Sequence, residues 1–454
     1  MRALFVTMML LGSSLCSISA RAATVTVYVV NFDFRNAPTG GSHFDPTIAL
    51  GDTIHWVWSS NHHNVQSIAG LSESWVTDTE DAPFTFDHTF THAGDFPYFC
   101  IEHGSDNGNG TTSGMSGIVH VLPAPSNKYA VTGLVSDVAG IASHQDTNLV
   151  NAWGLDKSPT GPWWVNSAAK GLSLLYNGAG VPNPLVVTVP PAPGQPSPSS
   201  PTGIVYNGTT SFEAGPGQPS IFLFATEDGT ISGWNSAVNQ TQAIVKVNKN
   251  GSAIYKGLAI GQINGQNVLY AANFFGSKIE VFDGSFNQLP TGPTAFKDSV
   301  VPAGYGPFNV QNIGGVIYVT WAKQNAAKED EIAGVGLGYV SGFSPRGVLV
   351  RRLQHGNWMN APWGLALAPA NFGALSNQLL VGQFGNGTIV SFDATSGVIR
   401  NIMKKANGQA VSVPGLWGLS FGNGGPAGPV NTLYFAAGIA GETHGLFGSL
   451  TALP

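Results

Sequence analysis

The chain has 454 residues and a formal net charge of −6, and charged residues make up only 10% of it. With 59 Gly, 29 Pro and 43% apolar residues, the composition disfavours long solvated helices, coiled coils and a disordered chain. The net negative charge argues against nucleic acid as a partner, because nucleic-acid binding needs a basic face.

The first 22 residues predict an export signal. Arg2 precedes an apolar run over residues 3–11, and Ala20-Arg21-Ala22 has the small-residue pattern of a cleavage site. We expect cleavage after Ala22 and a periplasmic or secreted protein. The apolar run is far shorter than the roughly 20 residues that cross a bilayer, so no membrane span is expected.

Residues 23–123 predict a first domain built from β-strands. Apolar and polar residues alternate over 25–29, 54–58 and 84–90, and turn-forming residues separate these runs. The spacing predicts a small antiparallel sandwich. Residues 23–125 hold 11 Asp and Glu against one Arg, a net charge of −10. Such a surface favours a partner with a basic docking surface, although solubility alone also explains it.

Four residues of this segment have the chemistry of a metal site. Loss of the first 22 residues leaves Cys100 as the sole cysteine, so no internal disulfide can form. Cys100 and His103 are two residues apart, His63 follows a predicted strand, and Met115 precedes the last one. A thiolate, two imidazoles and a thioether are the ligands of a blue-copper site. We expect His63, Cys100 and His103 to bind one copper ion, with Met115 as a weak axial ligand. A buried, inert thiol is the alternative.

The segments 51–54, 63–65, 94–103 and 114–117 resemble, in that order, the plastocyanin- and pseudoazurin-like cupredoxins. The resemblance implies a Greek-key sandwich with a type 1 copper site. It also places Asn64 where the family ties the two ligand loops together. Four protein ligands leave no position for a substrate, so the expected activity is one-electron exchange with a redox partner protein.

The other histidines of the segment are interpreted as supporting or solvent-facing residues. His88 and His92 flank a predicted strand, and His55 and His120 point away from the apolar partners on their strands. His62 adjoins a ligand but projects in the opposite direction. A second zinc or copper site among them is the less favoured alternative.

The long remaining segment repeats one glycine-centred phrase. Versions of it stand at 153–155, 202–204, 256–258, 362–365 and 416–419, and a wider interval predicts a degenerate copy near 306–308. Repeats of about 50 residues with several strands each are typical of propeller blades, and residues 126–454 give six. Closure of the ring predicts that the strand near 129–134 pairs with the C-terminal blade.

The segments 320–324, 331–334, 360–369 and 380–385 resemble a secreted bacterial propeller family, NHL-like in architecture, with no assigned function. The resemblance implies a fold and no chemistry. The acidic run 329–331 is interpreted as a solvated loop, with calcium binding as the alternative. The recurrent Trp153, Trp363 and Trp417 are interpreted as core residues, with substrate stacking or electron relay as alternatives.

The sequence therefore predicts an exported all-β protein with a signal peptide (1–22), a cupredoxin domain (23–123), a linker (124–127) and a six-bladed propeller (128–454). Its predicted function is one-electron transfer through one type 1 copper ion, with the propeller as a docking or ligand-binding platform. The alternative is a copper-dependent redox enzyme whose propeller holds the substrate. Copper storage or a structural copper is a third possibility, and an enzymatic activity is not favoured.

Overall fold

The structure is a computed structural model that describes residues 22–249 and 251–454. The described chain is all-β, as predicted, apart from two 3₁₀-helices at Ala168–Lys170 and Gly373–Leu375. None of its helices is long and apolar enough to cross a membrane. The predicted signal peptide lies outside the described residues except for Ala22. The chain forms two compact units, of which the first ends at Pro125 and the second begins at Ser126.

The first unit contains two four-stranded sheets. Its strands are β1 (Thr24–Val30), β2 (Asp33–Arg35), β3 (Thr47–Ala49), β4 (Thr53–Trp58), β5 (Gln66–Ser67), β6 (Thr85–Thr89), β7 (Gly94–Asp106) and β8 (Thr112–Leu122). One sheet has the order β2-β1-β4-β6 and the other the order β3-β8-β7-β5. Strands β1 and β4 pair in parallel, as do β3 and β8, whereas the other pairs are antiparallel.

The alternation in sequence places one core between these sheets. Ile54, Trp56 and Trp58 of β4 are buried, and the residues between them are half-buried. They pack in one cluster with apolar residues of β7 and β8, among them Cys100 and Met115. The core of the first unit therefore extends directly to the predicted metal ligands.

The second unit consists mainly of six sheets, each built on four antiparallel strands, and two of the sheets carry a fifth short strand. Before the first complete sheet lie β9 (Tyr129–Ser136) and β10 (His144–Gln145). Blade 1 contains β11 (Ala152–Lys157), β12 (Trp163–Ser167), β13 (Leu172–Tyr176) and β14 (Pro182–Thr188). Blade 2 contains β15 (Pro201–Tyr206), β18 (Phe222–Thr226), β19 (Thr230–Trp234) and β20 (Ile244–Asn248), with the hairpin β16 (Glu213–Gly215) and β17 (Gln218–Pro219) inserted.

The remaining blades follow in chain order. Blade 3 contains β21 (Tyr255–Ile263), β22 (Gln266–Asn273), β23 (Lys278–Asp283) and β24 (Gln288–Leu289). Blade 4 contains β25 (Tyr305–Ile313), β26 (Val316–Gln324), β28 (Tyr339–Phe343) and β29 (Leu349–Arg352), and β27 (Glu331–Ile332) pairs with the end of β26. Blade 5 contains β30 (Pro362–Leu367), β31 (Gln378–Gln383), β32 (Ile389–Asp393) and β33 (Ile399–Ile402). Blade 6 contains β34 (Leu416–Phe421), β35 (Leu433–Ile439), β36 (His444–Ala452) and β9.

The six blades close into a ring. The first strand of each blade packs against the first strand of the next, and β34 of blade 6 packs against β11 of blade 1. β9 supplies the fourth strand of blade 6 and pairs antiparallel with β36, as the sequence predicted, and the short β10 pairs in parallel with β9 at the edge of this sheet. This is the arrangement of a six-bladed β-propeller.

The repeated glycine phrase marks the same point in every blade. Each first strand has an irregularity in its pairing there, and β25 shows it between Pro307 and Asn309, within the degenerate copy. A Cβ on Gly203 would lie 2.7 Å from Gly257 Cα on the next blade. Glycine is therefore required where the first strands approach one another around the axis.

The glycines divide the propeller axis into two regions. On one side lies a buried aromatic cluster that includes Trp153, Phe308, Trp363 and Trp417, in which Trp153 and Trp417 stack with ring centroids 3.7 Å apart. On the other side is a cavity of about 390 Å³ lined by residues of the six first strands. The recurrent tryptophans therefore form part of the propeller core.

Candidate metal centre

The first unit brings three of the predicted ligands together. Cys100 and His103 lie on β7, and His63 lies in the loop after β4, where it forms a backbone bridge with Glu80. Within the described residues, His63, Cys100 and His103 are the one group of three or more His, Cys, Asp or Glu whose ligand atoms lie within 4.8 Å of one another. The three residues were predicted as ligands from sequence.

The atoms that face each other are a sulfur and two ring nitrogens. Cys100 Sγ lies 3.7 Å from His63 Nδ1 and 3.5 Å from His103 Nδ1. Cys100 and His63 are buried, whereas His103 is half-buried and so lies on the solvent side of the group. Burial, together with the neighbouring His103 and His62, lowers the pKa of His63. The imidazole of His63 is therefore neutral at neutral pH and able to bind a metal.

Backbone and side-chain contacts fix the two ligand segments to each other. Asn64 Oδ1 accepts a hydrogen bond from the Ile101 backbone N–H at 2.7 Å, and the Asn64 backbone N–H points to Cys100 Sγ at 3.5 Å. Trp58 Nε1 donates to the His63 carbonyl at 2.9 Å. These contacts hold the group in place from both sides, and Asn64 joins the two segments.

Met115 reaches the same core from the neighbouring strand. It is buried in one cluster with Cys100. The polar segment between His103 and Met115 forms a β-hairpin, in which Gly104 pairs with Gly114. A Cβ on Gly114, which has a φ of +72°, would overlap the His103 carbonyl oxygen. The hairpin therefore needs glycine at the point where it returns to the centre.

An exposed aromatic ring covers His103. Phe32 is 70% exposed, and its ring meets that of His103 edge-on with centroids 4.9 Å apart. Phe32 also has a φ of +61°, a left-handed conformation that a bulky residue rarely adopts. Sequence reasoning missed this residue, because one aromatic residue between two short strands carries no pattern.

Apart from His62, whose backbone N–H donates to Asp81, the other histidines of the first unit pair with carboxylates through their side chains. His55 Nδ1 lies 2.6 Å from Asp87, and His120 Nδ1 lies 2.7 Å from Asp95. His88 and His92 both contact the buried Glu73. Across the described residues these histidines form no second cluster with the spacing of a metal site.

Comparison with known proteins finds relatives without an assigned activity. No protein-family model matches the chain. It is 30% identical to "Uncharacterized protein R648" of Acanthamoeba polyphaga mimivirus over 335 residues, which cover 71% of this chain and 80% of that protein. It is also 32% identical to "Uncharacterized protein L690" of the same virus over 340 residues, which cover 71% and 85%.

Several solved structures match part or most of the chain at low similarity. A streptogramin B lyase matches 72% of this chain and 98% of its own with a TM-score of 0.43 and 10% identity. A gluconolactonase from Xanthomonas campestris matches 66% and 87% with a TM-score of 0.38 and 15% identity. A mutant of amicyanin in its oxidized form matches 22% of this chain and 81% of its own with a TM-score of 0.17 and 22% identity. Identities and scores this low transfer no activity to the chain.

These comparisons correct the recognition made from sequence. The assignment to a cupredoxin fused to a secreted bacterial propeller is wrong, because the similarity to amicyanin covers only 22% of the chain at a TM-score of 0.17. The matches over about two thirds of the chain or more include lyase and lactonase structures. A Greek-key cupredoxin domain is therefore not supported.

The same comparisons correct the prediction of function. The prediction of one-electron transfer by a blue-copper protein, with its alternative of a copper-dependent redox enzyme, is wrong, because the similarity to amicyanin is only marginal. The neighbours that cover most of the chain include lyase and lactonase structures, and none of these is a copper protein by name. What remains is a group of three ligand atoms in the first unit and a propeller in the second.

Proposed function

The chain belongs to the family of the mimivirus proteins R648 and L690, whose names assign no activity, and from its own residues we propose that the first unit binds one transition-metal ion. Cys100, His63 and His103 supply the ligands, and copper is the proposed cofactor. Met115 is proposed as a fourth, weaker ligand. The proposal concerns metal binding alone.

The distances between the ligand atoms carry this proposal. Metal–sulfur and metal–nitrogen bonds of about 2.3 and 2.0 Å, at angles of about 110–120°, place a sulfur and a nitrogen about 3.5–3.7 Å apart. The distances from Cys100 Sγ to the two histidine nitrogens are 3.5 and 3.7 Å. Both sulfur–nitrogen distances therefore match those around a single bound ion.

The chemistry of the ligands favours copper. A thiolate and a thioether are soft donors that suit Cu(I), and imidazole nitrogens also bind Cu(II). The sulfur of Cys100 is fully buried, and in the described residues it forms no disulfide. A bound ion would hold this sulfur as a thiolate and protect it from oxidation. The partner with a basic surface, suggested by the net charge of −10, stays a prediction.

A metal titration of the full chain tests the proposal. We expect one equivalent of copper to bind in competition with a chelator, and Cys100→Ser to weaken this binding at least about 100-fold, since the thiolate is the strongest ligand. The matched control is His120→Ala, which removes a histidine that contacts Asp95 away from the centre. Stoichiometric copper binding that survives Cys100→Ser, or no stoichiometric binding at all, would show the proposal to be wrong. Tighter binding of zinc than of Cu(I) would contradict copper as the cofactor.

A further inference from the structure

A tight turn in the first unit holds a bulky residue in a conformation that usually belongs to glycine. Val30 of β1 pairs with Asp33 of β2, so Asn31 and Phe32 alone join the two strands. Phe32 has a φ of +61°. Glycine or asparagine is preferred at the left-handed position of a turn, because a large side chain there crowds the backbone. The strain at Phe32 indicates that its side chain has a role that outweighs the cost.

Burial does not account for this conformation. Phe32 is 70% exposed, so folding removes little of its apolar surface from water. Its ring instead contacts the ring of His103, with centroids 4.9 Å apart and ring planes at 89°. An edge-on arrangement is one of the favoured geometries of two aromatic rings. The turn therefore holds an exposed ring against one ligand of the candidate metal centre.

Both ends of the turn are anchored. Val30, which precedes the turn, is 8% exposed and belongs to the buried face of β1. Asp33, which follows the turn, accepts a hydrogen bond from Arg35 Nε at 2.9 Å and lies 2.7 Å from His43 Nδ1. The backbone of the turn is therefore fixed, and rotation about the side-chain bonds of Phe32 is the motion that moves its ring.

His103 is the member of the ligand group that faces solvent. Cys100, His63 and Met115 are each at most 2% exposed, whereas His103 is half-buried. On its other side, the sulfur of Cys100 adjoins the apolar core of the first unit. The approach from solvent to Cys100 Sγ therefore passes the His103 ring, and Phe32 lies against this ring.

We propose that Phe32 is the gate of the metal centre, and that its ring limits the rate at which a metal ion enters and leaves. The inference rests on the proposed binding of a metal ion by His63, Cys100 and His103. The Phe32 ring hinders rotation of His103 away from Cys100 Sγ, and it keeps water from that side of the centre. Because Phe32 acts through His103, it is a positioning residue. It changes the rates of uptake and release by similar factors and therefore leaves the affinity nearly unchanged.

Stopped-flow transfer of Cu(I) between the full chain and an excess of a Cu(I) chelator measures these rates. Phe32→Gly, which the left-handed turn accepts, should release and take up copper at least about tenfold faster, with an affinity within about threefold of wild type. Phe32→Tyr keeps an aromatic ring and should retain the slow release. Leu50→Gly is the matched control, because Leu50 is a 39% exposed apolar residue in another turn of the first unit. It should leave both rates unchanged.

Chemical modification of the metal-free chain gives a readout that does not depend on copper. Diethyl pyrocarbonate modifies accessible imidazole nitrogens, and peptide mass spectrometry follows each histidine separately. His103 should be modified several times faster in Phe32→Gly than in wild type, because loss of the ring uncovers it. His120, whose side chain is 38% exposed and pairs with Asp95, is the internal control and should react at the same rate in both chains.

Phe32→Asn, the other residue type that this turn favours, gives an independent test, and hydrogen exchange in peptides from 94–122 shows whether each variant keeps the first unit folded. Copper binding by wild type with equal release rates in Phe32→Gly and Phe32→Asn would overturn the gate and leave the metal proposal standing. Equal modification of His103 in wild type and Phe32→Gly would overturn the gate as well. No stoichiometric copper binding by wild type would overturn the metal proposal and this inference with it.

Discussion

Glu73 in the first unit is a buried carboxylate that several donors hold in its charged form. It is 7% exposed and accepts hydrogen bonds from the Thr91 and His92 backbone N–H groups at 2.6 and 2.7 Å. Thr91 Oγ1 and His92 Nδ1 add contacts at 2.9 and 3.0 Å, and His88 Nε2 lies at 3.2 Å. Burial alone would raise the pKa of Glu73, but the hydrogen bonds from His92 and Thr91 outweigh it and lower the pKa to about 2.

The lowered pKa sets the size and the sign of the effect on stability. The difference between the ordinary pKa of 4.5 and a value of about 2 corresponds to about 3 kcal/mol. Because the folded state lowers this pKa, the stabilisation is fully present above pH 4.5 and is lost as the pH falls toward 2. We therefore expect Glu73→Gln to reduce the free energy of unfolding of the first unit by about 3 kcal/mol at pH 7.

Urea-dependent hydrogen exchange, followed by mass spectrometry on peptides from 94–122, measures the unfolding of this unit within the full chain. The difference in the free energy of unfolding between wild type and Glu73→Gln should decrease steadily as the pH is lowered from 5 to about 2. Asp87→Asn is the control, since Asp87 is 64% exposed and its pair with His55 should contribute less than about 1 kcal/mol. A difference in the free energy of unfolding below about 1 kcal/mol at pH 7, or a difference that does not depend on pH, would refute the reasoning.

Three further predictions concern glycines and one asparagine. Gly203→Ala should lower the stability of the propeller by about 1–3 kcal/mol in urea unfolding, because the added Cβ would overlap the next blade. The control Gly292→Ala, which has open space around it, should change the stability by less than about 0.5 kcal/mol. Gly114→Ala should weaken copper binding at least about tenfold in a chelator competition, and Gly110→Ala, which has a positive φ without the overlap, should not. Asn64→Ala should weaken copper binding by about 10–100-fold in the same competition, because the link between the ligand segments is lost. Equal losses of stability in Gly203→Ala and Gly292→Ala, or equal copper affinities in Gly114→Ala and Gly110→Ala, would contradict the explanation for that pair. Unchanged copper affinity in Asn64→Ala would contradict the role given to Asn64.

The sequence predicted those features that depend on local pattern. Alternation in β1 and β4 identified the strands of the first unit, and the recurring glycine phrase predicted six blades and the closure by β9. The spacing of Cys100 and His103 also identified two candidate ligands that share β7. The bulge at each phrase was not predictable, because it depends on contact between first strands of neighbouring blades.

Features that depend on the meeting of distant loops could not be predicted. The run at 329–331 was interpreted as a solvated loop, yet Glu331 is half-buried and lies within electrostatic reach of Lys256 and Glu442. Only the closed ring brings these residues, from blades 4, 3 and 6, to one axis. His88 and His92 were interpreted as supporting residues, but their shared partner Glu73 lies 15 and 19 residues earlier with no pattern to indicate the contact.

X-ray absorption spectroscopy at the copper edge, on the full chain loaded with one equivalent of copper, tests the metal centre most directly. Our account predicts one sulfur ligand at short distance together with two imidazole nitrogens, and loss of the sulfur signal in Cys100→Ser. A copper ion surrounded only by nitrogen and oxygen ligands in the wild-type chain would contradict it.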